Sequence, residues 1–339
     1  MIRIDINAQH VKDAADLWRN GLHGFLFDNH KSCLKQNFGD KKNPIIKTAN
    51  TYWEKMDHVI EFEYSSGKLK NENRQYRLCK DVLAYYKKHF NDYVLAKEDF
   101  LKRNKKVIEY MSAKNPLAKS ILGDVFVTAY NDFCQKQTAY DVMTKLQVNV
   151  CPYCNRQYTF TVDGNKKTRP EFDHFYDKAS YPLLALSFFN LVPSCHTCNH
   201  VKRNDEAAIN PYFHGFDHEF RVMAKNQSIQ GDVMTLNSSD FEVRLDNGNA
   251  DENKNMDTFG LDDLYNQHID YVESIMDRVK GYNSSVEQAL VDSFQGAGNN
   301  PQDVADFVWQ PYKEIIRNNW PLSKLTKDLL RQFGIIKNE

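Results

Sequence analysis

The chain has 339 residues, of which 41% are hydrophobic, and its formal net charge is −1 at pH 7. This length suffices for one large hydrophobic core or two modest ones, and the balanced charge excludes a polycation. The charge is nevertheless uneven: residues 68–106 hold twelve Lys and Arg against five Asp and Glu, and residues 232–306 hold sixteen acidic against four basic residues. We therefore expect one basic face, where nucleic acid would bind, and one acidic region.

The cysteine count and the hydropathy of the chain predict a reducing, cytoplasmic compartment. There are seven cysteines, and Cys33, Cys79 and Cys134 are isolated in the sequence. An odd total fits a reducing compartment better than a disulfide framework. The first residues lack the apolar run of a signal peptide, and the most apolar stretch, residues 181–192, is too short to span a bilayer. We expect a cytoplasmic protein that does not associate with membranes.

Residues 1–147 are predicted to form an N-terminal helical region. A polar stretch with glycine and proline over residues 37–44 predicts a loop. Apolar residues recur at helical spacing over residues 11–27, 52–64, 79–94, 100–111 and 117–146.

The central region, residues 148–215, contains two Cys-x-x-Cys pairs that flank its most informative segment. Cys151 and Cys154 form the first pair, and Cys195 and Cys198 form the second. Four thiolates are enough for a closed tetrahedral zinc site, which is usually structural because no ligand position is left open. Unrelated buried thiols or a redox dithiol are the alternatives, and the presence of two such pairs favours a shared zinc ion.

The segment between the two pairs predicts a hairpin followed by a helix. Residues 157–162 alternate between apolar and polar types, the Asp-Gly of positions 163–164 is a turn signal, and a return strand is expected over residues 168–174. A helix is expected over residues 199–206. The predicted layout is therefore ββα.

The landmarks of this segment are Asp173-His174, Asn190-Leu191 and Cys195-His-Thr-Cys198-Asn199. Together with the first cysteine pair they resemble the HNH nucleases of the ββα-metal superfamily, in the subtype stabilised by a four-cysteine zinc site. The resemblance covers about a sixth of the chain, and the spacing between landmarks makes it specific. The third motif position is Asn199 rather than His.

The resemblance implies a role for each landmark residue. His174 is expected to be the general base, and Asp173 and Asn199 are expected to hold a catalytic Mg²⁺ or Mn²⁺ ion. Asn190 is expected to hold the loop so that His174 is oriented. Neighbouring side chains on a strand point to opposite faces, so Asp173 and His174 converge only if the end of the strand twists. Glu171 lies on the same face as Asp173.

Basic residues around these landmarks are candidates for contacts with phosphate groups. Lys202 and Arg203 follow the second cysteine pair, and Arg169 and Lys178 lie near Asp173-His174. Such residues fix nucleic acid through its backbone. For each residue taken alone, an ordinary solvated surface is the alternative.

Residues 216–339 form the predicted C-terminal region, with short strands followed by helices. Strands are expected over residues 219–223 and 241–245, a long helix over 261–279, and closing helices over 303–318 and 322–333. The predicted fold class is α+β and mainly α-helical, with a central ββα-metal module flanked by helical regions.

The resemblance implies a metal-dependent endonuclease that hydrolyses phosphodiester bonds, with double-stranded DNA as the expected substrate. An RNA-cleaving HNH nuclease is one alternative, and a non-catalytic zinc-stabilised subunit that binds nucleic acid or a partner is another. Asn210-Pro-Tyr212 and residues 259–268 also resemble, more weakly, HNH nucleases of bacterial anti-phage defence, of the Septu-like and retron-linked kinds. That resemblance implies an antiviral role and an ATPase partner.

Overall fold

The computed structural model describes residues 1–29, 34–38, 45–225, 233–282, 284–294 and 301–337. These residues are mainly helical and contain three two-stranded antiparallel sheets, as expected for a mainly α-helical α+β chain. Cys33 and positions 39–44 of the predicted loop lie outside the described residues. Within the described ranges, every helix is too short or too polar to traverse a lipid bilayer.

The N-terminal region is built from helices, as predicted, together with one hairpin. The elements are α1 (Gln9–Phe27), β1 (Leu34–Phe38), β2 (Ile45–Ala49), α2 (Tyr52–Ser65), α3 (Asn73–Lys88), α4 (Phe90–Val94), α5 (Glu98–Lys114), α6 (Pro116–Cys134) and α7 (Gln137–Leu146).

Three sequence-based predictions for this region were wrong in detail. The helix predicted over residues 79–94 is divided at His89 into α3 and α4. Asn37 and Phe38 belong to β1, which pairs with β2, rather than to a loop. The helix predicted over residues 117–146 is two helices, because the polar residues Gln135 and Lys136 interrupt it. Apolar periodicity continues across that interruption, so the pattern alone did not reveal it.

Helix α1 joins the N-terminal region to the centre of the chain. Its buried face includes Trp18 and Leu22, which are fully buried. The Trp18 ring packs edge-on against Phe133 and Phe172, and its Nε1–H donates to the Leu186 carbonyl at 3.0 Å. A buried indole N–H needs such a partner, so this bond fixes α1 against the central region.

The central region contains β3 (Glu171–His174), β4 (Leu191–Ser194) and α8 (His196–Lys202), in ββα order. Strands β3 and β4 are antiparallel, with Glu171 opposite Ser194 and His174 opposite Leu191. The predicted partner of β3 was residues 157–162, and this was wrong. That segment makes only isolated bridges, including the one between Val162 and Thr168, because Pro170 has no amide hydrogen to extend the ladder.

Helix α8 begins three residues earlier than predicted. Cys195 is its N-cap, and the Cys195 sulfur accepts from the Cys198 amide at 3.5 Å. The helix ends at Lys202 because Arg203 adopts a left-handed backbone conformation with φ of 48°. The metal-ligand pair and the helix start therefore coincide.

The predicted strands and closing helices of the C-terminal region are confirmed. The predicted long helix is wrong: it breaks at Gln267 and His268 into two helices. The elements are β5 (Phe220–Ala224), β6 (Phe241–Leu245), α9 (Ala250–Phe259), α10 (Leu261–Asn266), α11 (Ile269–Gly281), α12 (Ser284–Phe294), α13 (Pro301–Arg317) and α14 (Ser323–Gln332).

Buried hydrophobic side chains from the N-terminal, central and C-terminal regions form one continuous cluster. Tyr153 stacks on Phe259 with a centroid distance of 4.4 Å, and the Tyr265 hydroxyl donates to the Cys154 carbonyl at 2.8 Å. The Leu322 amide donates to the Asn155 carbonyl at 2.6 Å. The C-terminal helices thus support the first cysteine pair directly.

Candidate metal centre and adjoining polar site

The four cysteines of the two pairs form one buried cluster. Their sulfur atoms all lie within 4.8 Å of one another, and those of Cys154 and Cys195 are 4.0 Å apart. The edge of a tetrahedron with Zn–S bonds of normal length is about 3.8 Å. Hydrogen bonds from the other three thiols hold the pKa of Cys154 far below its ordinary value. The cluster can hold a metal ion, and its spacing is compatible with zinc.

The first pair lies on a tight turn. The Asn155 amide donates to the Cys151 carbonyl at 2.8 Å, and Asn155 itself has a left-handed φ of 50°. The Asn155 side chain is buried and accepts from the Lys324 amide at 2.9 Å. This asparagine is one of the residue types that tolerate such a conformation, and α14 holds it there.

Asp173 is buried and makes an ion pair with an equally buried lysine. Its Oδ1 accepts from Lys202 Nζ at 3.2 Å, and its Oδ2 accepts from the Tyr153 hydroxyl at 2.7 Å. Lys202 is 0% exposed and donates its second bond to the His174 carbonyl at 2.8 Å. Burial raises the pKa of Asp173, and Lys202 and Tyr153 partly offset this effect.

The structure corrects the placement of Lys202. This residue was expected to contact phosphate, but its ammonium lies in the interior and balances Asp173. A lone buried carboxylate is costly, so a cation from the adjacent helix satisfies it. Sequence reasoning missed Tyr153 as the second partner, although it lies inside the first Cys-x-x-Cys pair.

Two residues before Asp173, Glu171 forms a second and more exposed polar cluster. Its Oε1 is 2.8 Å from Nδ1 of His196, and its Oε2 accepts from Asn199 Nδ2 at 2.6 Å. The His196 side chain is 80% exposed. Burial raises the pKa of Glu171, but the bonds from Asn199 and His196 outweigh it and lower the pKa. Asn199 therefore pairs with Glu171, whereas Asp173 pairs with Lys202.

His174 lies on the opposite face of β3 from Asp173, as the alternation of strand side chains requires. Its Nε2 is 3.0 Å from the Ala185 carbonyl, and its ring packs edge-on against Tyr130 at 4.4 Å. A carbonyl oxygen only accepts, so Nε2 carries the proton and Nδ1 the lone pair. Burial, together with the charge of Lys178, lowers the pKa of His174 to about 3. The imidazole is neutral at pH 7.

Asn190 clamps the loop between β3 and β4. Its Oδ1 accepts from the Tyr176 amide at 2.8 Å, and its Nδ2 donates to the carbonyls of Tyr176 and Leu184, each at 3.1 Å. The residue is fully buried. These bonds fix the loop beside Ala185, whose carbonyl receives His174.

No family model, curated protein or solved structure matches this chain.

The other predicted phosphate contacts differ in their surroundings. Arg169 lies over the rings of Tyr140 and Phe172 at 5.5 and 5.3 Å and donates to backbone carbonyls. Lys178 donates to Asn131 at 3.1 Å, and burial lowers its pKa. Arg203 is exposed at the end of α8. Of the four predicted residues, Arg203 has the most accessible charge.

Proposed function

We propose that the chain is an HNH-type nuclease that hydrolyses phosphodiester bonds, stabilised by a structural zinc ion bound to Cys151, Cys154, Cys195 and Cys198. The observation that carries this proposal is the neutral His174 at the end of β3. Its tautomer is set by the Ala185 carbonyl, and it belongs to a ββα sequence of elements whose helix begins at the second cysteine pair. A neutral imidazole with a free lone pair is the form that removes a proton from water.

Within this proposal, His174 acts as the general base through Nδ1. Burial keeps its pKa low in the free protein, and the negative charge of a bound phosphate would raise it towards the range in which an imidazole accepts a proton readily. Asn190 acts as a positioning residue, because it fixes the loop that carries Ala185. Arg203 is available to contact a flanking phosphate.

The expected ligands of a catalytic Mg²⁺ or Mn²⁺ ion, Asp173 and Asn199, do not fit a shared ion in this arrangement. The Lys202 ammonium already supplies the positive charge that Asp173 requires, and the Asn199 amide donates to Glu171. A hard divalent cation binds oxygen ligands that are free of such a partner. On this face of β3, the carboxylate of Glu171 is more exposed than that of Asp173.

The Asp173–Lys202 pair favours a second candidate function. A non-catalytic zinc-stabilised subunit needs the cysteine cluster and a basic surface, but no accessible carboxylate. An ion pair buried between strand and helix serves such a scaffold as well as it serves an enzyme. Cleavage assays separate the two functions.

The decisive experiment compares the wild type with His174→Ala on plasmid DNA and on structured RNA, with and without Mg²⁺ or Mn²⁺. We expect wild-type cleavage, with double-stranded DNA as the preferred substrate, and a loss of about 100-fold or more in the variant at unchanged zinc content. Equal cleavage by both proteins would refute the role of His174. Nucleic-acid binding without cleavage by the wild type under all conditions would favour the non-catalytic subunit.

We further propose that the nuclease acts in bacterial anti-phage defence together with an ATPase partner. This part rests on the weaker sequence resemblance of Asn210-Pro-Tyr212 and residues 259–268. The excess of acidic residues in the sequence of residues 232–306 would suit a basic partner. Co-expression followed by purification under low salt tests this point. Cleavage that appears only when an ATPase is added would support it.

A further inference from the structure

Next to the cysteine cluster, a short extended segment presents apolar side chains to solvent. Tyr158, Phe160 and Val162 are 50%, 52% and 47% exposed and alternate along the chain. The two aromatic rings stack with centroids 4.6 Å apart and an interplanar angle of 16°. We call these three residues the aromatic strip. From it we propose that the chain binds unpaired nucleobases by stacking, an inference that rests on the proposed nuclease function.

The strip is held in place from its other side. Thr159 is buried, and its hydroxyl donates to the Val148 carbonyl at 2.8 Å. Backbone bridges join Val150 to Tyr158 and Val162 to Thr168, one at each end of the segment. The rings are therefore presented by an anchored extended segment, which lowers the entropy cost of stacking a base against them.

The charge beside the strip matches a polyanion. The turn that follows it carries Lys166 and Lys167 against one acidic residue, Asp163, which pairs with Lys167 at 2.6 Å. Gln137 donates to Asp163 at 2.6 Å and accepts from Lys167 at 2.6 Å, so the turn packs against the start of α7. Lys136, next to Gln137, adds a further exposed cation.

Aromatic rings interleaved with cations favour single-stranded nucleic acid. Every base has a π face that can stack on an aromatic side chain, and the backbone phosphates need nearby positive charge. An apolar protein surface would use the rings but would leave the charges of Lys166 and Lys136 unbalanced, whereas Lys167 already pairs with Asp163. The observed combination thus favours a nucleic acid strand over a protein partner.

The position of the strip connects it to the exposed polar cluster of Glu171, His196 and Asn199. Gln157, which precedes the strip, donates to the Thr197 hydroxyl at 3.4 Å. Thr197 lies in the first turn of α8, beside His196, whose ring reaches Glu171. A nucleic acid strand that stacks on the aromatic strip would therefore pass close to the exposed polar cluster formed by Glu171, His196 and Asn199. A double-stranded DNA substrate that binds in this way would carry a single-stranded or locally unpaired segment at the aromatic strip.

The test measures binding in the His174→Ala background, so that cleavage does not interfere. Fluorescein-labelled single-stranded DNA of mixed sequence and the matching duplex are the probes. We expect Tyr158→Ala/Phe160→Ala to raise the Kd for the single strand about tenfold or more, and the Kd for the duplex much less, since stacking needs an unpaired base. Tyr110→Ala is the matched control, because Tyr110 is a 69% exposed aromatic residue on α5.

A second variant, Phe160→Trp, reports stacking directly. Its tryptophan fluorescence is expected to be quenched by the single strand to a greater extent than that of the parent protein. Unchanged single-strand affinity in the double variant, no extra quenching, or no single-strand binding by the parent protein would each overturn the proposal. Stacking without cleavage in the wild type would instead refute the nuclease function and leave this inference intact.

Discussion

Lys202→Met removes the ammonium group that balances the buried carboxylate of Asp173. Methionine has a similar length and fits an apolar interior, so the substitution tests the charge rather than the packing. Nζ of Lys202 is 3.2 Å from Oδ1 of Asp173, and the side chains are 0% and 3% exposed. After the substitution, Asp173 retains the Tyr153 hydroxyl as a partner, and the His174 carbonyl loses one donor.

The expected cost follows from this geometry. At 3.2 Å and an effective dielectric constant near 20, the attraction between the two charges is about 5 kcal/mol. Breaking a buried pair by removing one partner typically costs 3–5 kcal/mol, so we expect the free energy of unfolding to fall by about 3–5 kcal/mol at pH 7. Without the cation, the pKa of Asp173 rises further in the folded state. The deficit should therefore shrink as the pH falls and Asp173 becomes protonated.

Urea denaturation followed by circular dichroism measures this effect, with the zinc content checked in each sample. Arg203→Met is the matched control, because Arg203 is the next residue and its side chain is exposed. We expect the control to change stability by less than about 0.5 kcal/mol. A cost below about 1 kcal/mol for Lys202→Met, combined with weaker and less salt-dependent binding of nucleic acid, would show that Lys202 contacts phosphate instead.

Three further predictions concern the metal cluster, the loop clamp and a buried carboxylate. Cys198→Ser should lower bound zinc and leave a protein that unfolds on mild heating, as should chelation of the wild type; retained zinc in the variant would contradict the four-thiol site. Asn190→Ala leaves buried partners unsatisfied and should cost about 2–4 kcal/mol in urea denaturation, with a smaller loss counting against the clamp. Burial raises the pKa of Glu252, but backbone N–H groups and His218 outweigh it and hold the pKa below its ordinary value. Glu252→Gln should therefore destabilise the protein at pH 7 by about 1.5–3 kcal/mol, and by less as the pH falls through the lowered pKa of Glu252; a pH-independent difference would refute this reason.

Local patterns carried much of the architecture. Helical periodicity located α1, α13 and α14, and alternation located β5 and β6. These elements depend on the local spacing of apolar residues and on the burial of one face, and both can be read from the periodicity of the sequence. The same signals failed where a break depends on tertiary packing. Helices α10 and α11 separate at His268, which accepts from Arg156, a residue 112 positions away.

The sequence by itself predicted the cluster of four thiols. Each Cys-x-x-Cys pair already brings two sulfur atoms together, so the cluster forms once the two chain segments come into contact. Alternation also indicated that Asp173 and His174 would face apart unless the end of the strand twisted. Only the tertiary structure decided which groups they meet. Lys202 faces inward because α8 starts at His196 and so turns this residue towards Asp173, while Tyr130 and Ala185 reach His174 from distant segments. Partners of buried polar groups depend on how helices and strands pack, and no local pattern encodes that packing.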